Sequence, residues 1–181
     1  KGLAFATQKP CIGVSTLEAL ARNLDAVNGI VCPVMNARRK QVYTAIFRME
    51  NGNLTRLLED SALPLTELDT LLGAYSEPIY LVGDGYDIST EALSCPLVPT
   101  PERLRHQSAY SVAQAALAAY RLGVRTTDIE MVPTYLRPSQ AERERAEARQ
   151  KQEELARALA EKGLPFARCG SMENAVAHAI G

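Results

Sequence analysis

The chain is 181 residues long, 46% hydrophobic and 23% charged, with a formal net charge of −1, an ordinary globular composition that suits one domain or two small lobes. That balance supplies no global attraction to nucleic acid or anionic lipid, so contact with RNA has to come from a local patch or through a partner. No apolar run approaches the roughly 20 residues that cross a bilayer, so no membrane association is expected. Cys11, Cys32, Cys95 and Cys169 lie far apart with no CxxC pair, and His106 and His178 are equally isolated. This pattern reads as free, largely buried thiols in a reducing cytoplasm, with no metal site and no cofactor.

In chain order, Lys1 to Thr7 reads as the end of a helix. It has no initiator methionine and is too short and too soon interrupted for a signal peptide, which suggests that the chain is a fragment. Cys11 to Val14 is a short buried-type strand. Ser15 opens a helix, with Glu18 at capping-box spacing and Leu17, Leu20, Ala21 and Leu24 on one face. Ile30 to Val34 reads as a strand. Gln41 to Met49 alternates, placing Val42, Thr44 and Ile46 on one face and Tyr43, Ala45 and Phe47 on the other. Asn51-Gly52 is a hairpin turn, because both residues tolerate positive φ, and Leu54 to Leu58 returns as a third strand. The meander predicts a new lobe beginning near residue 29.

Pro64 leads into a short helix using Leu68, Leu71 and Leu72. Ile79 to Val82 is a continuous apolar run of the kind covered on both faces, and it ends in the tight loop Gly83-Asp84-Gly85. Leu97-Val98 is a further scrap of strand. Ser108 to Leu122 is an amphipathic helix expected to turn Ala109, Val112, Ala113, Ala116, Leu117 and Tyr120 inward, with Gly123 as its stop. Val132 to Pro138 is extended, since prolines block helix at both ends. Ser139 and Glu142 form a second capping box ahead of a long charged helix running to about Lys162, where i,i+4 pairs such as Glu147 with Lys151 and Glu153 with Arg157 lend small support. A short strand and a helix over Glu173 to Ile180 complete the expected elements. Alternating strands and helices with one antiparallel meander predict α/β layers on a mixed sheet.

Several stretches, taken in order, resemble the TsaB (YeaZ) family. They are Lys1-Gly2-Leu3-Ala4, the run Gly13 to Ala21, Ala37-Arg38-Arg39-Lys40-Gln41-Val42-Tyr43, Val82-Gly83-Asp84-Gly85, Ser108-Ala109 with the helix that follows, and Pro133-x-Tyr135-Leu136-Arg137 with Ala141-Glu142. Each is weak alone; together they cover roughly residues 1 to 142. The resemblance implies an actin-like, Hsp70-like (ribonuclease-H-like) fold of two α/β lobes. It also implies a place in making threonylcarbamoyladenosine on tRNA, beside a TsaD catalytic subunit and a TsaE ATPase. Family members carry roughly 60 or 70 residues ahead of the Lys-Gly-Leu-Ala helix, about what completes one lobe, so the first lobe is expected to be incomplete. The division that follows is residues 1–28 as a remnant of the first lobe, 29–138 as the second lobe, and 139–181 as a charged helix and tail.

Arg38 and Arg39, with Lys40, put cations at a corner. They serve either as a phosphate contact, since guanidinium grips phosphate through parallel hydrogen bonds, or as a solvated turn that guards an edge. Gly83, Asp84 and Gly85 follow a buried strand. In an actin-like fold such a loop lets backbone approach a nucleotide, and otherwise it is a tight strand-to-helix turn with Asp84 as cap. Tyr43 and Tyr135 stack on a base or partner, or sit in the core with a bonded hydroxyl; Arg137 braces the chain end through a carboxylate. No P-loop, GxGxxG or Gly-x-Ser-x-Gly elbow is present, so no catalytic residue is assigned. The expected function is a non-catalytic scaffold for the TsaD subunit, touching tRNA only through the complex. Two alternatives differ in class: an ATP-dependent phosphotransferase of the sugar-kinase type, and a simple homodimer.

Overall fold

A computed structural model of the chain describes residues 1–137 and 140–161. Two compact units emerge, Lys1–Leu136 and Arg137–Gly181. The first holds helices α1 (Gly2–Thr7) and α2 (Thr16–Ala21), strands β1 (Gly29–Asn36), β2 (Gln41–Glu50) and β3 (Asn53–Pro64), helix α3 (Leu65–Leu72), strand β4 (Ile79–Val82), helix α4 (Tyr86–Ala92), strand β5 (Leu97–Val98) and helix α5 (Ala109–Arg121). The described part of the second unit is helix α6 (Gln140–Glu161), on which Arg149 pairs with Glu153 at 3.1 Å. The expected strand and helix over 164–181 lie outside the described residues.

The sheet has the order β3-β2-β1-β4-β5. β1, β2 and β3 run antiparallel, whereas β1, β4 and β5 run parallel, so the mixed sheet inferred from the sequence is the one observed. Asn51 and Gly52 take φ of 51° and 77° at the β2–β3 hairpin, as their turn chemistry predicts. β3 runs to Pro64, well past the expected Leu58, and its register against β2 shifts twice between Thr44 and Phe47. Irregularities of this kind, with Arg56, Glu59 and Asp60 among them, blunt an exposed sheet edge against pairing with another chain.

Strand alternation sends side chains to two cores. Ile30, Cys32 and Val34 of β1, with Val42, Ile46, Ile79 and Leu81, pack under Leu65, Leu68 and Leu72 of α3. On the opposite face, Val31, Ala45, Phe47, Met49 and Val82 meet Leu17, Leu20 and Ala21 of α2, together with Leu24. The two faces read from β2 are therefore correct. Burial pushes the Cys32 thiol up to about 12, the Thr44 hydroxyl at 3.2 Å opposing that shift only in part.

Three expectations need correction. The strand expected over 11–14 reduces to a single antiparallel bridge between Cys11 and Thr126. Among the described cysteines, Cys11 and Cys95 are only partly buried. Helix α5 forms where predicted but turns a different face inward. Its buried residues are Ser111 and Ala115, while Val112, Leu117 and Tyr120 are 40%, 48% and 51% exposed. The reason is polar and steric: the Ser111 hydroxyl donates to Asn23 Oδ1 at 2.6 Å, and two small residues one turn apart let α5 lie close to α2.

Candidate functional site

Parallel strands in α/β sheets offer their carboxyl ends as ligand sites, because the loops leaving them converge on one edge. Here β1, β4 and β5 end together. β1 runs into the turn over 37–40, and β4 runs into Gly83-Asp84-Gly85, so two segments distant in sequence meet on that edge.

The turn is unusual in its backbone. Arg38, Arg39 and Lys40 all take positive φ, at 62°, 53° and 58°, a left-handed region that costs an L-residue about 1 kcal/mol or more. Local hydrogen bonds offset this cost. Asn36 Oδ1 accepts from the Arg38 N–H at 2.8 Å. The Gln41 N–H donates to the Arg38 carbonyl, and the Ala37 N–H to the Gln41 carbonyl, each at 3.0 Å. The result projects three exposed cationic side chains from one corner.

The glycine loop is pressed onto β1. Gly83 has φ of 112°, and a Cβ there would stand 2.1 Å from the Val34 carbonyl oxygen; only glycine fits both the angle and the space. The Gly85 N–H donates to that same Val34 carbonyl at 3.0 Å, and the Gly83 N–H donates to the Arg105 carbonyl at 2.7 Å. Asp84 does not cap the following helix. Gly85 is the N-cap of α4 and no side chain caps it. Instead Asp84 Oδ1 accepts from the Asn36 N–H at 3.2 Å. Asn36 is thus the hinge of the site: its N–H holds the glycine loop and its side chain holds the cationic turn. Sequence reasoning missed it, although an Asn two residues ahead of a turn is a recognisable local acceptor.

The other candidates lie elsewhere. Tyr43 sits in β2, half-buried and opposite Met35 and Ala62. Tyr135 is 83% exposed, which overturns its reading as a core residue. Leu136 beside it packs against the α2 face of the core, and Arg137 begins the second unit.

Among the described residues, no group of three or more His, Cys, Asp or Glu could hold a metal ion, and no helix is long and apolar enough to cross a membrane.

A family model described as TsaD, tRNA N6-adenosine threonylcarbamoyltransferase, matches residues 1–144. The tRNA threonylcarbamoyladenosine biosynthesis protein TsaB of Bacillus subtilis (strain 168) is 27% identical to this chain over 143 residues, which make up 78% of the chain and 62% of that relative. Two solved structures share the fold. One is an uncharacterized Pseudomonas aeruginosa protein with similarity to peptidase YeaZ, at a TM-score of 0.64; the other is YeaZ from Pseudomonas aeruginosa, at 0.61. Each is 24% identical and aligns over 75% of this chain and 63% of its own length. The chain therefore spans somewhat less than two thirds of the proteins it matches, and its sheet is of the actin-like kind they share.

Proposed function

Because this chain belongs to the family whose model is described as TsaD, tRNA N6-adenosine threonylcarbamoyltransferase, we propose that it is a non-catalytic scaffold for the addition of threonylcarbamoyl to adenosine in tRNA. It supports a TsaD-type catalytic subunit, with a TsaE-type ATPase completing the assembly, and it meets tRNA only through that assembly. The name of the Bacillus subtilis relative points to the same modified nucleoside. In this reading residues 1–28 belong to the first actin-like lobe, 29–138 form the second, and 139–181 are a charged extension.

The observation that carries the scaffold role is where the exposed apolar side chains sit. Leu3 and Phe5 of α1, Tyr110 of α5, and Leu122, Ile129 and Tyr135 beyond it are all largely exposed. The Cys11–Thr126 bridge ties the segment after α1 to the segment after α5. Exposed apolar side chains that gather into one patch mark a surface that meets another protein, and tyrosines are favoured at such interfaces. The carboxylate that a phosphotransferase would need, Asp84, is engaged in holding the loop to Asn36. Within the scaffold role, the Arg38–Arg39 turn and the Gly83-Asp84-Gly85 loop contact the phosphates of a nucleotide, while Tyr135 meets the partner protein.

Reconstitution tests this role. Threonylcarbamoyl transfer to tRNA is measured with the TsaD-type and TsaE-type subunits, with and without this chain, and with this chain alone. The expected result is no transfer by the chain alone and co-purification with the TsaD-type subunit. Transfer by this chain in the absence of a TsaD-type subunit would remove the proposal.

A further inference from the structure

The turn between β1 and β2 carries charge that the fold leaves unspent. The side chains of Arg38, Arg39 and Lys40 are all exposed. Among the described residues none of the three pairs with a carboxylate, whereas Arg22, Arg48 and Arg56 each stand beside one. The N–H groups of Arg39 and Lys40 also lack an acceptor among the described residues, while those of Ala37, Arg38 and Gln41 close the turn. The Lys40 carbonyl accepts the Leu65 N–H at 3.1 Å, which pins the corner to the start of α3. Three successive left-handed residues without a glycine are strained, and glycine at these positions would relieve the strain. Backbone strain of this kind is retained where the geometry serves a contact.

We propose that this turn is a docking corner for the phosphodiester backbone of tRNA, engaged when the chain sits in the assembly proposed above. The inference rests on that scaffold reading. It supplies a chain of net charge −1 with the local patch that contact with RNA requires. Two features choose an RNA strand over an acidic protein or a free nucleotide. The apolar neighbours Ala37 and Val42 are buried, so the charge comes without the apolar centre around which a protein interface is built. An exposed turn encloses no single nucleotide, whereas a run of phosphates needs only cations and N–H donors at the surface. Guanidinium groups suit that role because they take two phosphate oxygens at once. Asp84, held by the Asn36 N–H, sets one negative charge beside the corner. The net attraction is therefore modest, and it orients tRNA in the assembly rather than capturing it from solution.

The test measures binding of a tRNA transcript to the full chain reconstituted with the TsaD-type and TsaE-type subunits, across a salt series. One variant combines Arg38→Gln, Arg39→Gln and Lys40→Gln; a second combines Arg38→Gly, Arg39→Gly and Lys40→Gly. Arg48→Gln is the control, since Arg48 registers with Ile30 at the opposite end of β1. The glutamine variant should bind tRNA about tenfold more weakly, and its logarithmic salt slope should flatten by about two to three, close to one for each lost phosphate contact. The glycine variant should lose the same affinity while its urea midpoint rises, because the left-handed strain is gone. A turn that served only the fold would gain that stability and lose no affinity. Both combined variants should still co-purify with the TsaD-type subunit. Affinity within about twofold of wild type in both would overturn the inference, as would an equal loss in Arg48→Gln. Failure of the glutamine variant to co-purify would assign the corner to a protein contact and overturn the RNA contact. A wild-type chain that never joins the TsaD-type subunit would remove the scaffold reading, and this inference with it.

Discussion

Gly83 and Gly85 show how differently two glycines in one loop can be constrained. Gly83 combines a φ of 112° with a position where a Cβ would stand 2.1 Å from the Val34 oxygen, so alanine there would be both strained and in collision with backbone. Gly85 takes a φ of −84°, and an added Cβ would lie 3.0 Å from the same oxygen. Gly83→Ala is therefore expected to lower stability by more than about 2 kcal/mol, the range for an incompatible backbone change, and Gly85→Ala by clearly less. Urea unfolding of the two variants measures this; equal losses would mean that crowding rather than the backbone angle governs the loop. The GDG pattern and the buried strand before it are visible in the sequence. Which glycine is indispensable is not, because that depends on how closely β1 runs beneath the loop.

Helix α3 carries a tie whose strength depends on pH. Asp69 accepts from the Ser94 hydroxyl at 2.6 Å, from the Ser94 N–H at 2.8 Å and from the Cys95 N–H at 3.3 Å. The Ser94 hydroxyl and then its backbone N–H hold the Asp69 carboxyl below the usual carboxylate range. A depressed folded value means that this contribution is present above the unfolded value, about pH 4, and is lost as pH falls through the lower folded value. Thermal midpoints followed from pH 7 down to about pH 3 should thus drop more steeply in wild type than in Asp69→Asn. Matching acid slopes would show that the tie contributes nothing. Among the elements, the sequence was informative about local closures. Ser15 does cap α2, accepting from the Glu18 N–H at 3.1 Å, as the spacing predicts. The reciprocal half of that box is absent, however. The Glu18 carboxylate pairs instead with Arg22 and with Arg56 of β3, a residue brought there only by folding.

The whole first unit is organised by one sheet covered on both sides. Leu20 of α2 and Leu68 of α3 are each essentially fully buried, on opposite faces of the same strands. Leu20→Ala and Leu68→Ala should each cost about 2–5 kcal/mol, the range for emptying a packed leucine site. Because β1 and β2 contribute side chains to both faces, each variant should still unfold in a single transition. Two separate transitions in a calorimetric melt would show instead that the two layers fold independently. The apolar side chains left exposed on α1, α5 and the segment to Tyr135 belong to this scale too, since they lie outside both core layers of the sheet.

Neighbours along the chain were enough to specify the Asn51-Gly52 hairpin, the Ser15 cap, the alternation of β2, the buried character of β4 and the family resemblance carried by short ordered motifs. These features rest on backbone preferences and side-chain periodicity, which act over a few residues. Packing settled the rest. It brought the Arg38 turn to the glycine loop through Asn36 and Asp84, set Arg105 against Gly83, and turned α5 by its small residues rather than its large ones. Those outcomes depend on which surfaces approach closely enough to bond or collide, and that distance is a property of the folded chain rather than of any segment in it.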